Sequence, residues 1–146
     1  MRQTGFTLAE LIVTVLILSI LAVVVIPRLD RSDYDTLRFY DQSLAAVRYA
    51  QKVAIAQRAE VFVSAAPASL SVCFNAGCGA PVIDPSTGAA LVVTAPSGVT
   101  LSMSQPSFSF TGLGSTSGVA AAVVVTVSGT PVRTFTVEQE TGYVHP

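Results

Sequence analysis

Charge is scarce in this 146-residue sequence. Only 12% of its residues are Asp, Glu, Lys or Arg, about half of what a soluble domain of ordinary composition carries. Neither sign dominates, since 8 Lys+Arg stand against 9 Asp+Glu, a formal net charge of −1. That balance excludes a strongly basic nucleic-acid binder and a polyampholyte tail. Histidine is scarcer still. The single one, His145, is the penultimate residue, so no Ser-His-Asp or Cys-His arrangement has a secure base. Downstream of Glu60 the only charged residues are Asp84, Arg133, Glu138 and Glu140, too few for an acid–base pair. No catalytic residue, metal site or cofactor is expected, and the chain does not read as an enzyme. What it has in excess is apolar residues, 51% of the whole, which argues against global disorder. The length suits one domain with its own core.

The excess is concentrated at one end. From Phe6 to Ile26, 17 of 21 residues are apolar, the exceptions being Thr7, Glu10, Thr14 and Ser19. As a helix this run would extend about 32 Å, enough to cross a hydrocarbon core of about 30 Å. Without it the chain is about 46% apolar, ordinary for a folded domain. A secretory signal peptide has a shorter apolar region closed by a small-x-small site, and no Ala-x-Ala closes this one. A plain single-pass anchor fits the length but leaves Glu10 unexplained, unless that carboxylate simply stays wet near the interface. An ionisable residue inside a membrane helix is costly without a partner and is a functional hypothesis by default.

The detail before the run is specific. Arg2-Gln3-Thr4-Gly5 forms a short basic leader, followed by Phe6-Thr7-Leu8-Ala9-Glu10-Leu11. This resembles the prepilin leader of the type IV pilin and type II secretion pseudopilin family. Only Ala9 departs, standing where a bulkier aliphatic residue is usual. The resemblance implies a prepilin peptidase of the inner membrane that cuts between Gly5 and Phe6 and N-methylates Phe6. It also gives Glu10 a partner, because the new Phe6 ammonium of a neighbouring subunit can meet that carboxylate when subunits stack with a rise. Pairing two charges in apolar surroundings offsets much of their individual cost, and the pair would fix axial register. Arg28, Arg31 and Arg38 after the segment balance Arg2 before it, so the positive-inside rule does not set the orientation. A periplasmic C-terminal domain rests on the resemblance.

Pro27 closes the apolar run and predicts a kink near Val23. The helix is expected to continue amphipathically over residues 27–58, because Leu37, Tyr40, Leu44, Val47, Gln51 and Ala54 recur at spacings of three and four. Nine of the 17 charges lie between Asp30 and Arg58, on the other faces, where contact with other subunits and plain solvation explain them equally well. Asp30, Asp33 and Asp35 lack EF-hand spacing, and placement near a helix N-terminus explains them without a metal.

From residue 59 to 146 the pattern is alternation and punctuation. Residues 61–63, 69–74, 90–94, 99–103, 107–110, 119–127 and 132–137 read as strands. Prolines and glycines separate them, and Ser128-Gly129-Thr130-Pro131 reads as a hairpin turn. Gly112 to Gly118 misses the spacing of a dinucleotide loop and reads as a flexible loop between strands. The expected class is α+β: a long N-terminal helix, membrane half plus amphipathic half, packed on an antiparallel β-sheet domain, as in pilins. The expected boundaries are a leader over 1–5, a membrane or filament-core helix over 6–26, its continuation over 27–58 and a β-rich domain over 59–146.

Cys73 and Cys78 enclose four residues. They suit a disulfide, a zinc half-site or two free thiols. Zinc lacks two further ligands here, and an exported domain sits where a bridge is favoured. Closing a loop of that length is worth roughly 2 kcal/mol.

A narrower resemblance reaches the C-terminus. Ala46-Val47-Arg48-Tyr49-Ala50-Gln51 and the closing Val137-Glu138-Gln139-Glu140-Thr141-Gly142-Tyr143-Val144-His145 are similar to the GspH/FimT group of minor pilins and pseudopilins. The ending is most similar to the minor pilin of the mannose-sensitive haemagglutinin (MSHA) pilus. The resemblance implies a subunit near the filament tip that helps to start assembly. Its partners would be other pilin subunits, the prepilin peptidase, the inner-membrane assembly platform and the membrane itself. Some members of the group bind DNA through basic residues in the tail, but Tyr143 and His145 stand where arginines are expected and only Arg133 is near. Phosphate neutralisation by Lys and Arg dominates such binding, so a nucleic-acid role is not expected. The alternatives are that DNA-binding role, a major fibre-forming pilin, or a membrane-anchored periplasmic domain of other function.

Overall fold

Two helices precede all of the β-structure. The computed structural model describes residues 6–25 and 31–146; Gly5, Pro27 and Asp30, and with them the leader and the expected kink, lie outside those residues. The chain divides into two compact units, Met1–Arg31 and Ser32–Pro146.

In the first unit, α1 runs from Leu8 to Val25. Its large side chains from Leu8 to Leu21 are all at least half exposed, between 50% and 76%. A helix with so much apolar surface needs apolar surroundings to keep that surface from water. At 1.5 Å per residue its 18 residues extend about 27 Å, just short of a typical hydrocarbon core. Among the described residues no helix is long and apolar enough to cross a membrane; the apolar sequence continues to Ile26, outside them.

In the second unit, α2 (Arg31–Gln57) presents one stripe to the core. Tyr40, Leu44, Val47 and Ala54 are buried as the spacing predicts. Leu37, counted in that stripe, is instead 38% exposed, and Thr36, Phe39, Ser43, Ala46, Ala50 and Val53 complete the buried face. Thr36 tolerates burial because its hydroxyl donates to the Ser32 carbonyl (2.8 Å) and accepts the Thr130 N–H (3.2 Å), so neither side of the group is left unpaired.

Among the described residues, nine antiparallel strands form two sheets. β1 (Val61–Ala66), β2 (Ser69–Cys73), β3 (Val92–Thr94), β5 (Ser107–Phe110) and β6 (Thr116–Ser117) make the first, in the order β3-β2-β1-β5-β6. β4 (Thr100–Met103), β7 (Val123–Ser128), β8 (Arg133–Val137) and β9 (Val144–His145) make the second, in the order β4-β7-β8-β9. Alternation sets the inner faces. Val61 and Val63 of β1, Leu70 and Val72 of β2, and Val123, Val125 and Val127 of β7 are wholly buried, with Phe135 of β8. They join Phe39 and Val47 of α2 in one core, where each large side chain contributes roughly 1.5–3 kcal/mol. Phe108 and Phe110 meet edge to face at 5.3 Å, and Tyr40 meets Phe135 likewise at 5.8 Å. The β7–β8 hairpin turns at Ser128–Pro131 as expected. Gly129 is required there, because a Cβ would collide with the Thr36 side chain.

Candidate functional site

The N-terminal string that resembles a processing signal is also a helix start. Phe6 lies just before α1 and is 71% exposed. Thr7 caps the helix: its hydroxyl accepts the Glu10 N–H at 3.3 Å, and its carbonyl accepts the Leu11 N–H at 3.2 Å. Thr7-Leu8-Ala9-Glu10 therefore has the spacing of a capping box, a motif that starts a helix and that also places a carboxylate beside the positive end of the dipole. The other polar groups of α1 are satisfied within it. Thr14 donates to the Leu11 carbonyl (2.9 Å) and Ser19 to the Val15 carbonyl (2.8 Å), a habit of hydroxyls in apolar helices. Among the described residues the Glu10 carboxylate has no hydrogen-bond partner. It is the one polar side chain on α1 that the helix itself does not satisfy.

The two segments that carry the narrower resemblance, one on α2 and one at the C-terminus, meet in space. Arg48, on the face of α2 assigned to solvent or subunit contact, instead gives its guanidinium to the Val144 carbonyl of β9 through Nε (3.3 Å) and Nη2 (3.0 Å). One turn on, Gln51 Nε2 donates to the Gly114 carbonyl (2.8 Å) and the Thr141 carbonyl (3.1 Å). Gly142 closes this clasp with φ at 62°, and a Cβ on it would collide with the Gly114 carbonyl. Thr116 adds two bonds to the Gln139 carbonyl, from its N–H at 3.1 Å and its hydroxyl at 2.7 Å. One helix face thus holds the end of one sheet against the last turn of the other. Gly112 to Gly118 is consequently no flexible loop: Thr111 and Ser115 bond each other through backbone and side chains, and Gly114 is tied to the helix. The clasp escaped sequence reasoning because its partners lie 63 to 96 residues apart. The one signal available was that both segments belong to the same resemblance.

Polar chemistry elsewhere in the domain is local. The structure joins Cys73 to Cys78 by a disulfide, with Cα atoms 5.1 Å apart, which clips the turn after β2. His145 Nε2 lies 3.0 Å from Glu138 Oε1. Chiefly that bond, with the Pro146 carbonyl beside the ring, raises the imidazole above its ordinary pKa. The Asp84 carboxyl is lowered by the Ser86 N–H and then the Ser86 hydroxyl. Arg133, the one cation of the sheets, stacks over the Tyr40 ring at 5.8 Å, with its Nε buried.

Three comparisons bear on this arrangement. A family profile described as the prokaryotic N-terminal methylation motif matches residues 1–26. Among solved structures, the type IV minor pilin FimU of Pseudomonas aeruginosa superposes with a TM-score of 0.55 at 15% identity, over 75% of this chain and 90% of that one. The minor pseudopilin EpsH from the type 2 secretion system of Vibrio cholerae gives 0.54 at 14% identity, over 80% and 95%. No curated protein matches the sequence. The chain joins an N-terminal methylation motif to a pilin-like α+β fold, an N-terminal helix with antiparallel sheets.

Proposed function

We propose that the protein is a minor pilin or pseudopilin, a structural subunit of a type IV pilus or a type II secretion pseudopilus. The observation that carries the reading is Glu10, a carboxylate without a partner among the described residues, four positions after the residue that a cut at Gly5 would expose. The methylation motif over residues 1–26 and the likeness in fold to FimU and EpsH support it. In this reading a prepilin peptidase cuts between Gly5 and Phe6 and methylates the Phe6 amine. Residues 6–26 hold the precursor in the inner membrane, with residues 59–146 on the periplasmic side. The assembly platform then lifts the subunit into a filament, and α1 exchanges lipid for neighbouring helices. Each transfer keeps its apolar surface out of water, so it runs at little cost in hydrophobic free energy.

Glu10 has two roles to separate. At capping-box spacing from Thr7 it sits in the first turn of α1; as a charge it meets the Phe6 ammonium of a neighbour. Glu10→Gln keeps the capping-box pattern and removes the charge. We expect Glu10→Gln and Glu10→Ala to be cleaved normally, and both to be lost from sheared filaments or from co-purification with partner subunits. Normal incorporation of Glu10→Gln would show that the charge is dispensable and would refute the pairing.

A further inference from the structure

The two sheets have four edge strands, and on three of them the chain itself takes up at least one outward backbone group. In β4, the outward N–H of Leu101 donates to the Pro67 carbonyl at 3.0 Å. In β6, the outward N–H of Thr116 goes to Gln139, and in β9 the Val144 carbonyl is held by Arg48. β3 is different. The Val72 N–H donates to the Leu91 carbonyl at 3.2 Å, and the Ala95 N–H to the Ala68 carbonyl at 2.8 Å. Residues 93 and 95 and the Leu91 carbonyl therefore face β2, while the Leu91 N–H goes to the Val82 carbonyl at 2.7 Å. The alternation of an antiparallel ladder turns the backbone groups of Val92 and Thr94 away from β2. Among the described residues nothing pairs with these two N–H and two C=O groups. An edge left open in this way is a template for another strand, and folded proteins ordinarily blunt it.

The open side of β3 also has a wall. A groove of about 410 Å³ runs along it, bounded across the gap by Gln42, Ala45 and Tyr49 of α2. Ala45 keeps that wall low, and Val92, 48% exposed, lies along the strand side. The one charged side chain lining the groove is Asp84. Its Oδ1 is engaged by the Ser86 N–H (2.9 Å) and hydroxyl (2.8 Å), which with the nearby Thr87 hydroxyl favour the charged carboxylate. The surface combines a row of unpaired backbone groups, an apolar trough and one carboxylate.

We propose that β3 receives an extended segment of a different protein chain, which adds a strand to the first sheet, packs an apolar side chain against Ala45 and brings a Lys or Arg to Asp84. Backbone pairing supplies the affinity and the alternating side chains the selectivity, as in other cases of strand addition. A second copy of this chain does not fit. It would bring another Asp84, and among the described residues its own cations lie on α2, at the end of α2 or in β8 under Tyr40. That the donor is a neighbouring filament subunit rests on the function proposed above; the open edge itself does not.

The test is photo-crosslinking in the producing cell, with p-benzoyl-phenylalanine replacing Val92 in the full chain. The same probe at Val124, an exposed valine of β7, is the control. The expected product is a cross-link to an extended segment of a different protein, mapped by mass spectrometry beside a Lys or Arg. Thr94→Pro deletes an outward N–H that β2 does not use, so it leaves the sheet's own ladder intact. It should cut the yield about tenfold or more, and Asp84→Asn should cut it severalfold. Full yield in Thr94→Pro, no product above the Val124 control, or a link to a second copy would each overturn the proposal. The intact mass of the same samples keeps the two readings apart. A processed chain without the cross-link defeats strand addition alone, and an unprocessed chain with it defeats the filament reading alone.

Discussion

Single residues in this domain matter most where distant segments touch. Gly142 is such a point, with a positive φ and no room for a Cβ beside the Gly114 carbonyl. Gly142→Ala meets both obstacles and should destabilise the domain by about 2–4 kcal/mol, read as a lower midpoint in thermal unfolding. Gln51→Leu removes two hydrogen bonds and leaves two carbonyls to find other partners, with an expected loss of about 1–3 kcal/mol. Neither change touches the N-terminal motif, so processing should continue in both. His145 offers a cleaner probe, because it is the only histidine. Its pKa is raised in the folded chain, so the contact with Glu138 contributes its full stability at pH below the unfolded value of about 6.5. The contribution is lost as pH rises through the folded pKa. An NMR titration should show a midpoint above the ordinary value that returns toward it in Glu138→Gln; an unchanged midpoint in that variant would remove Glu138 as the cause.

At the scale of elements, much of the β-region was legible because valine, serine and threonine alternate between prolines and glycines. β1, β2, β3, β4, β5, β7 and β8 fall within or beside the predicted runs, and the β7–β8 turn lies at Gly129. The misses have physical reasons. β6 and β9 are two residues each, too short to carry any period, and exist because longer strands offer them an edge. The stripe of α2 was read from its largest aliphatics, yet Thr36 is buried and Leu37 is not, because a hydroxyl with two partners loses nothing by burial. Arg48 and Gln51 were read as surface and stripe; their carbonyl partners are nearly the whole domain away in sequence, beyond any local pattern. The Cys73–Cys78 bridge was one of three readings of the spacing. Without reductant, a thiol titration of the folded chain should find no free thiol, and after reduction it should find two. Cys73→Ser together with Cys78→Ser should cost no more than about 2 kcal/mol, since a loop this short gains little from closure.

The molecule as a whole separates its tasks along the chain. α1 presents a large exposed apolar surface, while residues 32–146 enclose a core of ordinary kind with few charges. The N-terminal site could be found in sequence because it is contiguous, from Gly5 to Glu10, and because its unusual member is a lone carboxylate in an apolar run. What could not be found was that Thr7 to Glu10 also start the helix, with Thr7 as its cap. The account's central claim is that the residues from Gly5 to Glu10 mark a cut and a methylated new terminus. The measurement that tests it most directly is the intact mass of the full chain recovered from a host with an active prepilin peptidase. We predict a chain that lacks Met1–Gly5 and carries one added methyl group on Phe6; an uncut chain that retains Met1–Gly5 would contradict the account.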